Sequence, residues 1–304
     1  MRLRINNIKQ PISEGDEALK TRIANLLGLE PRQVTSARVT RRALDARKKQ
    51  DVFFLLSATA EVEDSAAKRL LERNNPHVEA FVATKEAELT PGTERLRGRV
   101  VVAGLGPAGL FAALQLAKHG YAPLVLERGD AIKQRAERVE HYWSTGELDE
   151  NSNVMFGEGG AGTFSDGKLN TLIKDKNYRG YFVLNEFVKA GAPADILYIN
   201  KPHIGTDRLR EVVKNIRNEI IALGGEVLFN TALKDIYIEN SRICGILCAD
   251  SAGRQFEIKT DTVFLGTGHS ARDIFALLAK KGVPMSASEP IRRRLMRSTR
   301  RACR

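Results

Sequence analysis

Val100-Val101-Val102-Ala103-Gly104-Leu105-Gly106-Pro107-Ala108-Gly109 is the stretch whose reading decides the fold of this chain. A short apolar run enters a glycine turn. A helical pattern of Leu110, Leu114 and Ala117 leaves it and closes at Gly120. A second apolar run, Pro123-Leu124-Val125-Leu126, ends on Glu127. Gly104 permits the tight turn, Gly106 lets main chain approach a pyrophosphate, and Gly109 lets helix and strand pack closely. Pro107 suits the first helical turn, where its missing N–H costs nothing. The free N–H groups of that turn, Ala108 among them, favour a pyrophosphate together with the helix dipole. Glu127 stands where an acid would accept hydrogen bonds from ribose hydroxyls. A lone GxGxxG is weak evidence. Here the strand before, the helix after and the acid ending the next strand complete a dinucleotide-binding unit.

Composition sets the frame around that unit. A chain of 304 residues can hold two domains, and 42% hydrophobic residues suffice for real cores. No apolar run approaches a membrane span, and the opening MRLRINNIKQ carries no signal-peptide core. The expectation is a cytoplasmic protein with no membrane partner. Cys244 and Cys248 fall in one predicted strand, where four residues span about 13 Å. That exceeds the roughly 7 Å limit between Cα atoms of a disulfide, so they are read as strand cysteines and not a redox pair. His77, His119, His141, His203 and His269 show no metal-ligand spacing. The net charge of +11 is concentrated: residues 291–304 hold seven arginines and no acids, leaving +4 for the other 290.

The first 90 residues alternate between strand and helix patterns. Leu3–Ile8 reads as a strand. Gly15–Leu27 reads as a helix with Leu19, Ile23, Leu26 and Leu27 on one face. Val34–Leu44 and Val52–Val62 read as two strands, joined by the polar, basic Asp45–Asp51. Asp64–Arg73 reads as a second helix and Val78–Ala83 as a last strand. The order β-α-β-β-α-β is the ferredoxin-like arrangement. Arg38, Arg41, Arg42, Arg47, Lys48 and Lys49 make the central hairpin basic. A solvated hairpin is preferred over a surface for an anionic partner.

Beyond Glu127 the pattern lengthens. Ala131–Trp143 is helical and charged. Gly157, Gly159 and Gly162 repeat the GxGxxG spacing, but no strand leads in, so the segment reads as a glycine-rich loop. Asp207–Ala222 is a helical pattern with Leu209, Val212, Val213, Ile216 and Ile220 on one face. Glu226–Asn230 reads as a strand. Lys234–Ile238, Arg242–Ala249 and Gln255–Lys259 then form a β-meander, with turns at Glu239-Asn240-Ser241 and Asp250-Ser251-Ala252-Gly253. Thr262–Leu265 is a buried-type strand entering Gly266-Thr267-Gly268, and Ala271–Lys280 is helix-like, with Ser270 read as its N-cap. His269 has no assigned role, and His203 is read as structural.

About a hundred residues separate the second strand of the unit from the third, and a meander follows. That build is similar to the FAD domain of the glutathione-reductase-like flavoproteins. In them the third strand lies beside the adenine and a strand ending in Gly-x-Gly returns to the pyrophosphate. Here those elements match Glu226–Thr231 with Ala232, the meander, and Gly266 with Gly268. Arg128 would suit a 2′-phosphate, but Glu127 would repel one, and FAD carries none. Three segments narrow the resemblance: Phe156-Gly-Glu-Gly-Gly-Ala-Gly-Thr-Phe-Ser-Asp-Gly-Lys168, Pro202-His-Ile-Gly-Thr-Asp207 and Gly268-His-Ser-Ala-Arg-Asp273. Together they resemble a family of bacterial FAD-dependent dehydrogenases, also described as NAD(P)/FAD-dependent oxidoreductases, over roughly residues 1–288. The resemblance implies that Gly159, Gly160, Thr163, Ser165 and Lys168 pass near the flavin and its phosphates. The other reading is a plain turn at Ser165-Asp166-Gly167 and a solvated Lys168.

The expected fold class is therefore α/β: a Rossmann-like FAD-binding domain with a β-meander, preceded by a small α+β ferredoxin-like domain. The expected boundaries are 1–88, a linker at 89–98, 99–288, and a basic tail at 289–304. FAD is the expected cofactor, NAD(P)H a candidate electron donor, and the substrate or electron carrier a small molecule without assignment. Catalytic residues are not assigned, and no nucleic-acid partner is expected. The alternatives are an NAD-linked dehydrogenase, or a nucleotide- or RNA-binding module using the basic hairpin and tail. Near Pro290 the composition changes abruptly. Ile-Arg-Arg-Arg can be written ATT-CGC-CGT-CGG, and the shifted frame TTC-GCC-GTC-GG encodes the apolar Phe-Ala-Val-Gly. The expectation is a frameshift that produced residues 291–304 and an early stop; a genuine basic tail is the alternative.

Overall fold

The chain is a mixed α/β protein whose computed structural model describes residues 1–73, 75–83, 92–164, 168–169, 175 and 177–286. Its contacts divide it into two units. The first joins Met1–Arg95 to Ala161–Leu223; the second joins Leu96–Gly160 to the chain from Gly224 onward. The stretch 161–223, expected inside a single 99–288 domain, thus groups with the N-terminal residues. The basic tail lies outside the described residues.

In the first unit, β1 (Arg2–Pro11), α1 (Leu19–Leu27), β2 (Val34–Lys48), β3 (Asp51–Val62), α2 (Asp64–Glu72) and β4 (Val78–Ala80) follow the predicted order. They form one antiparallel sheet ordered β2-β3-β1-β4. Period-two alternation sends Leu3, Ile5, Leu56, Ala58 and Val39 to the face that receives Ile23 and Leu27 of α1 and Ala67 and Leu70 of α2. Gly28 ends α1 in the left-handed conformation, at φ 64°.

The connection expected at Asp45–Asp51 is shorter. β2 runs on to Lys48, which pairs with Asp51, so only Lys49 and Gln50 turn the chain. Polar residues suffice for an exposed hairpin end, because neither face there requires apolar partners. Two of its arginines are already engaged. Arg42 pairs with Asp16 and stacks over Phe54 and Tyr198, and Arg47 donates from Nε to Asp45 Oδ1 and from Nη2 to Asp45 Oδ2.

Two longer helices complete this unit. α5 (Arg179–Lys189) carries no pattern that the sequence reading used. Asp175 accepts hydrogen bonds from the N–H groups of Arg179, Gly180 and Tyr181 and so satisfies its first turn. α6 (Thr206–Ala222) buries Leu209, Val212, Val213, Ile216 and Ile220, the five residues its periodicity singles out.

The second unit contains a parallel sheet: β5 (Val101–Ala103), β6 (Leu124–Leu126), β7 (Glu226–Leu228) and β11 (Val263–Leu265), ordered β11-β5-β6-β7. β5 and β6 are joined through α3 (Pro107–Lys118), and α4 (Ile132–Thr145) follows β6. A three-stranded antiparallel meander, β8 (Thr231–Glu239), β9 (Arg242–Asp250) and β10 (Gln255–Ile258), lies between β7 and β11 in the chain. Asn240 and Ser241, both at positive φ, make the two-residue turn from β8 to β9 that such a hairpin favours. α7 (Arg272–Lys280) closes the described chain, and its Ile274 packs with Leu233, Ile236 and Ile246 of the meander and Val101 of β5.

The meander also disposes of the cysteines. Cys244 is exposed and Cys248 is buried, and both are free. Burial pushes the Cys248 thiol up to about 11, so it is inert at neutral pH. Among the described residues no group of histidines, cysteines and acids could hold a metal, and no helix is long and apolar enough to cross a membrane.

Candidate dinucleotide site

Three glycine-bearing loops of the second unit meet where its parallel sheet changes direction. β6 and β7 lie on one side of β5 and β11 on the other, so β5 is the switch point, the place where α/β sheets collect ligands beyond their carboxyl ends. The first loop is Gly104–Gly109. Gly104 has φ +100°, and a Cβ there would come within 2.5 Å of the Gly266 carbonyl oxygen. A Cβ on Gly109 would come within 1.8 Å of the Gly104 carbonyl oxygen, so helix and turn touch through bare main chain. Gly106 caps α3, with Pro107 at the first helical position. Among the described residues, a Cβ on Gly106 would meet only the Cα of Gly160, at 3.9 Å. The turn is thus tight at Gly104 and Gly109 and open at Gly106, as a pyrophosphate cradle requires.

The second loop, Gly157–Gly160, lies against the first. The Gly159 N–H donates to the Leu105 carbonyl oxygen at 2.8 Å, and a Cβ on Gly160 would sit 2.9 Å from Pro107 Cδ. This is the glycine-rich loop of the sequence reading; it forms no strand–turn–helix unit of its own. The third loop begins at Gly266, whose N–H donates to the Ala103 carbonyl oxygen and whose Cβ position is 3.0 Å from the Gly109 nitrogen. Gly268 has φ +78°, and no described residue lies within 4 Å of where its Cβ would stand.

Glu127 ends β6 and is 3% exposed. One carboxylate oxygen accepts the Leu105 N–H at 2.7 Å, and the other accepts the Gly129 N–H at 2.9 Å. Glu127 therefore ties the first glycine turn to its own strand end. Each oxygen keeps a second lone pair for a hydroxyl. Thr231 is drawn to the same place: its N–H donates to the Glu127 carbonyl oxygen at 2.9 Å. Ala232 follows it into β8, half-buried.

Arg128 points elsewhere. Its guanidinium donates to Asp273 on α7 at 2.7 Å and lies 4.8 Å from the centre of the Phe156 ring. Burial pushes the Asp273 carboxyl up, and the hydrogen bond and charge of Arg128 more than offset this, leaving it below the ordinary value. A carboxylate so lowered stabilises the fold above its unfolded-state pKa and loses that contribution as pH falls through its folded-state value. Asp273→Asn should therefore lower the melting temperature slightly at pH 7, and the gap should close as pH drops below about 4. A constant gap from pH 7 to pH 3 would refute the pairing.

Thr163 is buried in a 3-10 turn, Ala161–Phe164, and Lys168 forms a bridge with His203; both belong to the first unit. Ser165 lies outside the described residues. Ser270 does not cap α7: Ala271 occupies the cap position and the Ser270 hydroxyl faces His269 Nε2 at 3.3 Å. The helix starts one residue late because Arg272 N–H is taken by the Ser270 carbonyl oxygen.

The sequence reading missed Arg135 and Glu158. Arg135, on α4, is fully buried. It donates from Nε to the Asn153 carbonyl oxygen (3.0 Å) and from Nη2 to that of Val154 (3.0 Å). Its Nη1 serves Glu158 (2.5 Å) and Gly160 (2.9 Å). Glu158 is also fully buried, and its carboxylate accepts the Ile132 N–H at the start of α4 at 2.7 Å. The signal was present in part: Ile132, Arg135 and Val139 share one helical face, so the arginine interrupts an apolar stripe.

Comparison with known proteins gives the following likenesses. A family model described as a domain of unknown function (DUF8436) matches residues 2–61. An uncharacterized protein of Clostridium beijerinckii is 43% identical over 288 residues, which cover 94% of this chain and 52% of the relative. The chain thus spans about half the length of that protein. Thiamine thiazole synthase of Thermotoga maritima is 24% identical over 204 residues, 62% of this chain and 67% of the synthase. Among solved structures, THI4 of Thermovibrio ammonificans has a TM-score of 0.41 at 20% identity, covering 62% of this chain and 64% of that one. The myxobacterial chondrochloren halogenase CndH, described as a variant of FAD-dependent halogenases, has a TM-score of 0.36 at 15% identity, covering 58% and 38%.

Proposed function

We propose that the second unit binds FAD and that the chain is part of a flavin-dependent oxidoreductase. The observation that carries this reading is the meeting of three glycine loops and a buried acid at the switch point of a parallel sheet. In this reading the unit is Rossmann-like and the N-terminal sheet ferredoxin-like. The N–H groups in the first turn of α3 bind the pyrophosphate. The second lone pairs on Glu127 receive ribose hydroxyls. Thr231 and Ala232, which open β8 just beyond β7, stand on the adenosine side. Bound flavin would supply the hydride and electron chemistry, while the protein holds and orients it.

Two features favour FAD over a nicotinamide nucleotide. A meander separates β7 from β11, where a nicotinamide domain continues with short helical crossovers. The Arg128 guanidinium is held by Asp273, and the neighbouring Glu127 carboxylate opposes a 2′-phosphate. The test is spectroscopic. Purified protein, as isolated or after incubation with FAD and gel filtration, should show the two visible bands of oxidised flavin. Protein that retains NAD but not FAD would overturn the assignment. Colourless protein that binds RNA with a steep salt dependence would favour the nucleic-acid reading instead.

A further inference from the structure

We infer that Arg135 is a positioning residue for the pyrophosphate cradle: it sets the wall opposite Gly106 by gathering the carbonyl groups of the loop Asn153–Gly160. The inference rests on the dinucleotide reading and adds to it a residue that touches no ligand. The four carbonyls on one guanidinium come from both ends of that loop, so the segment is wrapped around a single planar group. The fork fixes directions as well as distances, which a point charge such as lysine does not.

One peptide plane carries the effect to the cradle. The carbonyl between Glu158 and Gly159 faces Arg135, and the N–H of that same peptide donates to Leu105, inside the first glycine turn. Two residues on, the Gly160 carbonyl is also on Arg135, and a Cβ on Gly160 would lie 3.3 Å from the Cα of Gly106. Among the described residues, Gly160 is the one neighbour within 4 Å of the direction in which Gly106 lies open. The gap at Gly106 is thus bounded by a residue whose carbonyl Arg135 holds. The stem of Arg135 is enclosed as well: a Cβ on Gly157, at φ +114°, would come within 2.4 Å of its Cδ. The Glu158 carboxylate accepts the Ile132 N–H and the Glu158 N–H donates to the Asp130 carbonyl oxygen, so the loop is tied to the start of α4 and the residues before it. A guanidinium is costly to bury, and an apolar side chain would fill the same volume at lower desolvation cost. What the arginine adds is control of loop carbonyl direction.

The experiment compares ADP, which carries the pyrophosphate, with adenosine, which does not, on the full chain. ADP binding is read by calorimetry and adenosine by ligand-detected NMR. Arg135→Lys and Gly160→Ala are the variants; the second leaves the buried arginine in place and displaces the wall from the other side. Each should weaken ADP and FAD by roughly ten- to a hundredfold, the scale of an ångström-level misplacement, with adenosine affinity unchanged. A purely structural Arg135 would lower the melting temperature and leave the ADP-to-adenosine ratio as in the wild type; that result would overturn the inference. If Arg135→Lys does not fold, Arg135→Gln, which keeps one donor group and removes the fork, supplies the same comparison. Wild-type protein that binds neither ADP nor FAD would instead sink the dinucleotide reading itself.

Discussion

Gly106→Ala should abolish dinucleotide binding in a protein that still folds, whereas Gly109→Ala should damage the fold itself. The two glycines belong to one motif but face different surroundings. Gly106 has φ −71° and ψ −177°, which alanine adopts without strain, and among the described residues its Cβ would meet only Gly160 Cα, at 3.9 Å. An alanine cap is poorer than glycine by about 1 kcal/mol at most. The added methyl stands where main chain must approach a pyrophosphate, so FAD affinity should fall at least ~100-fold, or about 2.7 kcal/mol. At Gly109 the methyl would lie 1.8 Å from the Gly104 carbonyl oxygen and 3.4 Å from Val102 Cγ1. The nearest obstacle is main chain, so α3 must shift off β5. Overpacking of this kind costs about 1–3 kcal/mol and sometimes more. Alanine's helix preference over glycine returns only about 1 kcal/mol. Urea midpoints and FAD titrations on both variants separate the effects. Equal destabilisation by the two substitutions would contradict the geometry.

That contrast shows which parts of the site a linear pattern carries. The strand–glycine–helix–strand–acid order is local, and each part has a fixed spacing, so Gly104 to Glu127 could be read directly. The face of α6 was legible for the same reason: a period of 3.6 places its five apolar residues on one stripe, and all five are buried. The turns of the meander were legible because Asn240-Ser241 and the stretch Asp250–Gly253 are turn formers between alternating runs. Arg135 was not, because its partners are carbonyls, which every residue possesses, at positions 153 to 160 of an irregular loop. No spacing rule marks them. The engagement of Arg128 by Asp273 was hidden for a related reason: 145 residues separate the two. α5 escaped notice because its start is set by Asp175, four residues before Arg179. β2 ran past its expected end because an exposed hairpin tip needs no apolar alternation.

Glu127→Gln is the substitution that should join the two consequences separated at Gly106 and Gly109, lowering stability and binding together. The Glu127 carboxylate is 3% exposed and each of its oxygens accepts a main-chain N–H, from Leu105 and from Gly129. Glutamine has one oxygen. Whichever way its amide turns, an –NH2 donor opposes one of those two N–H donors. A buried donor left without an acceptor costs about 1–3 kcal/mol. Rotating the amide only exchanges which glycine turn is released: Leu105 frees the first loop, Gly129 the end of β6. Either release displaces a wall of the cradle and removes a lone pair available to a ribose hydroxyl. The expected result is a loss of roughly 2 kcal/mol in unfolding free energy, taken from the middle of that range, with FAD affinity down more than ~10-fold. Glu127→Asp tests the mechanism from the other side. It keeps both oxygens but is one methylene shorter, so its carboxylate falls short of both donors and should fail similarly. If Glu127→Gln keeps wild-type stability and loses only binding, the carboxylate serves the ligand alone. The tie between the first glycine turn and the end of β6 would then rest on the Gly104 N–H to Leu126 hydrogen bond at 2.7 Å and not on Glu127.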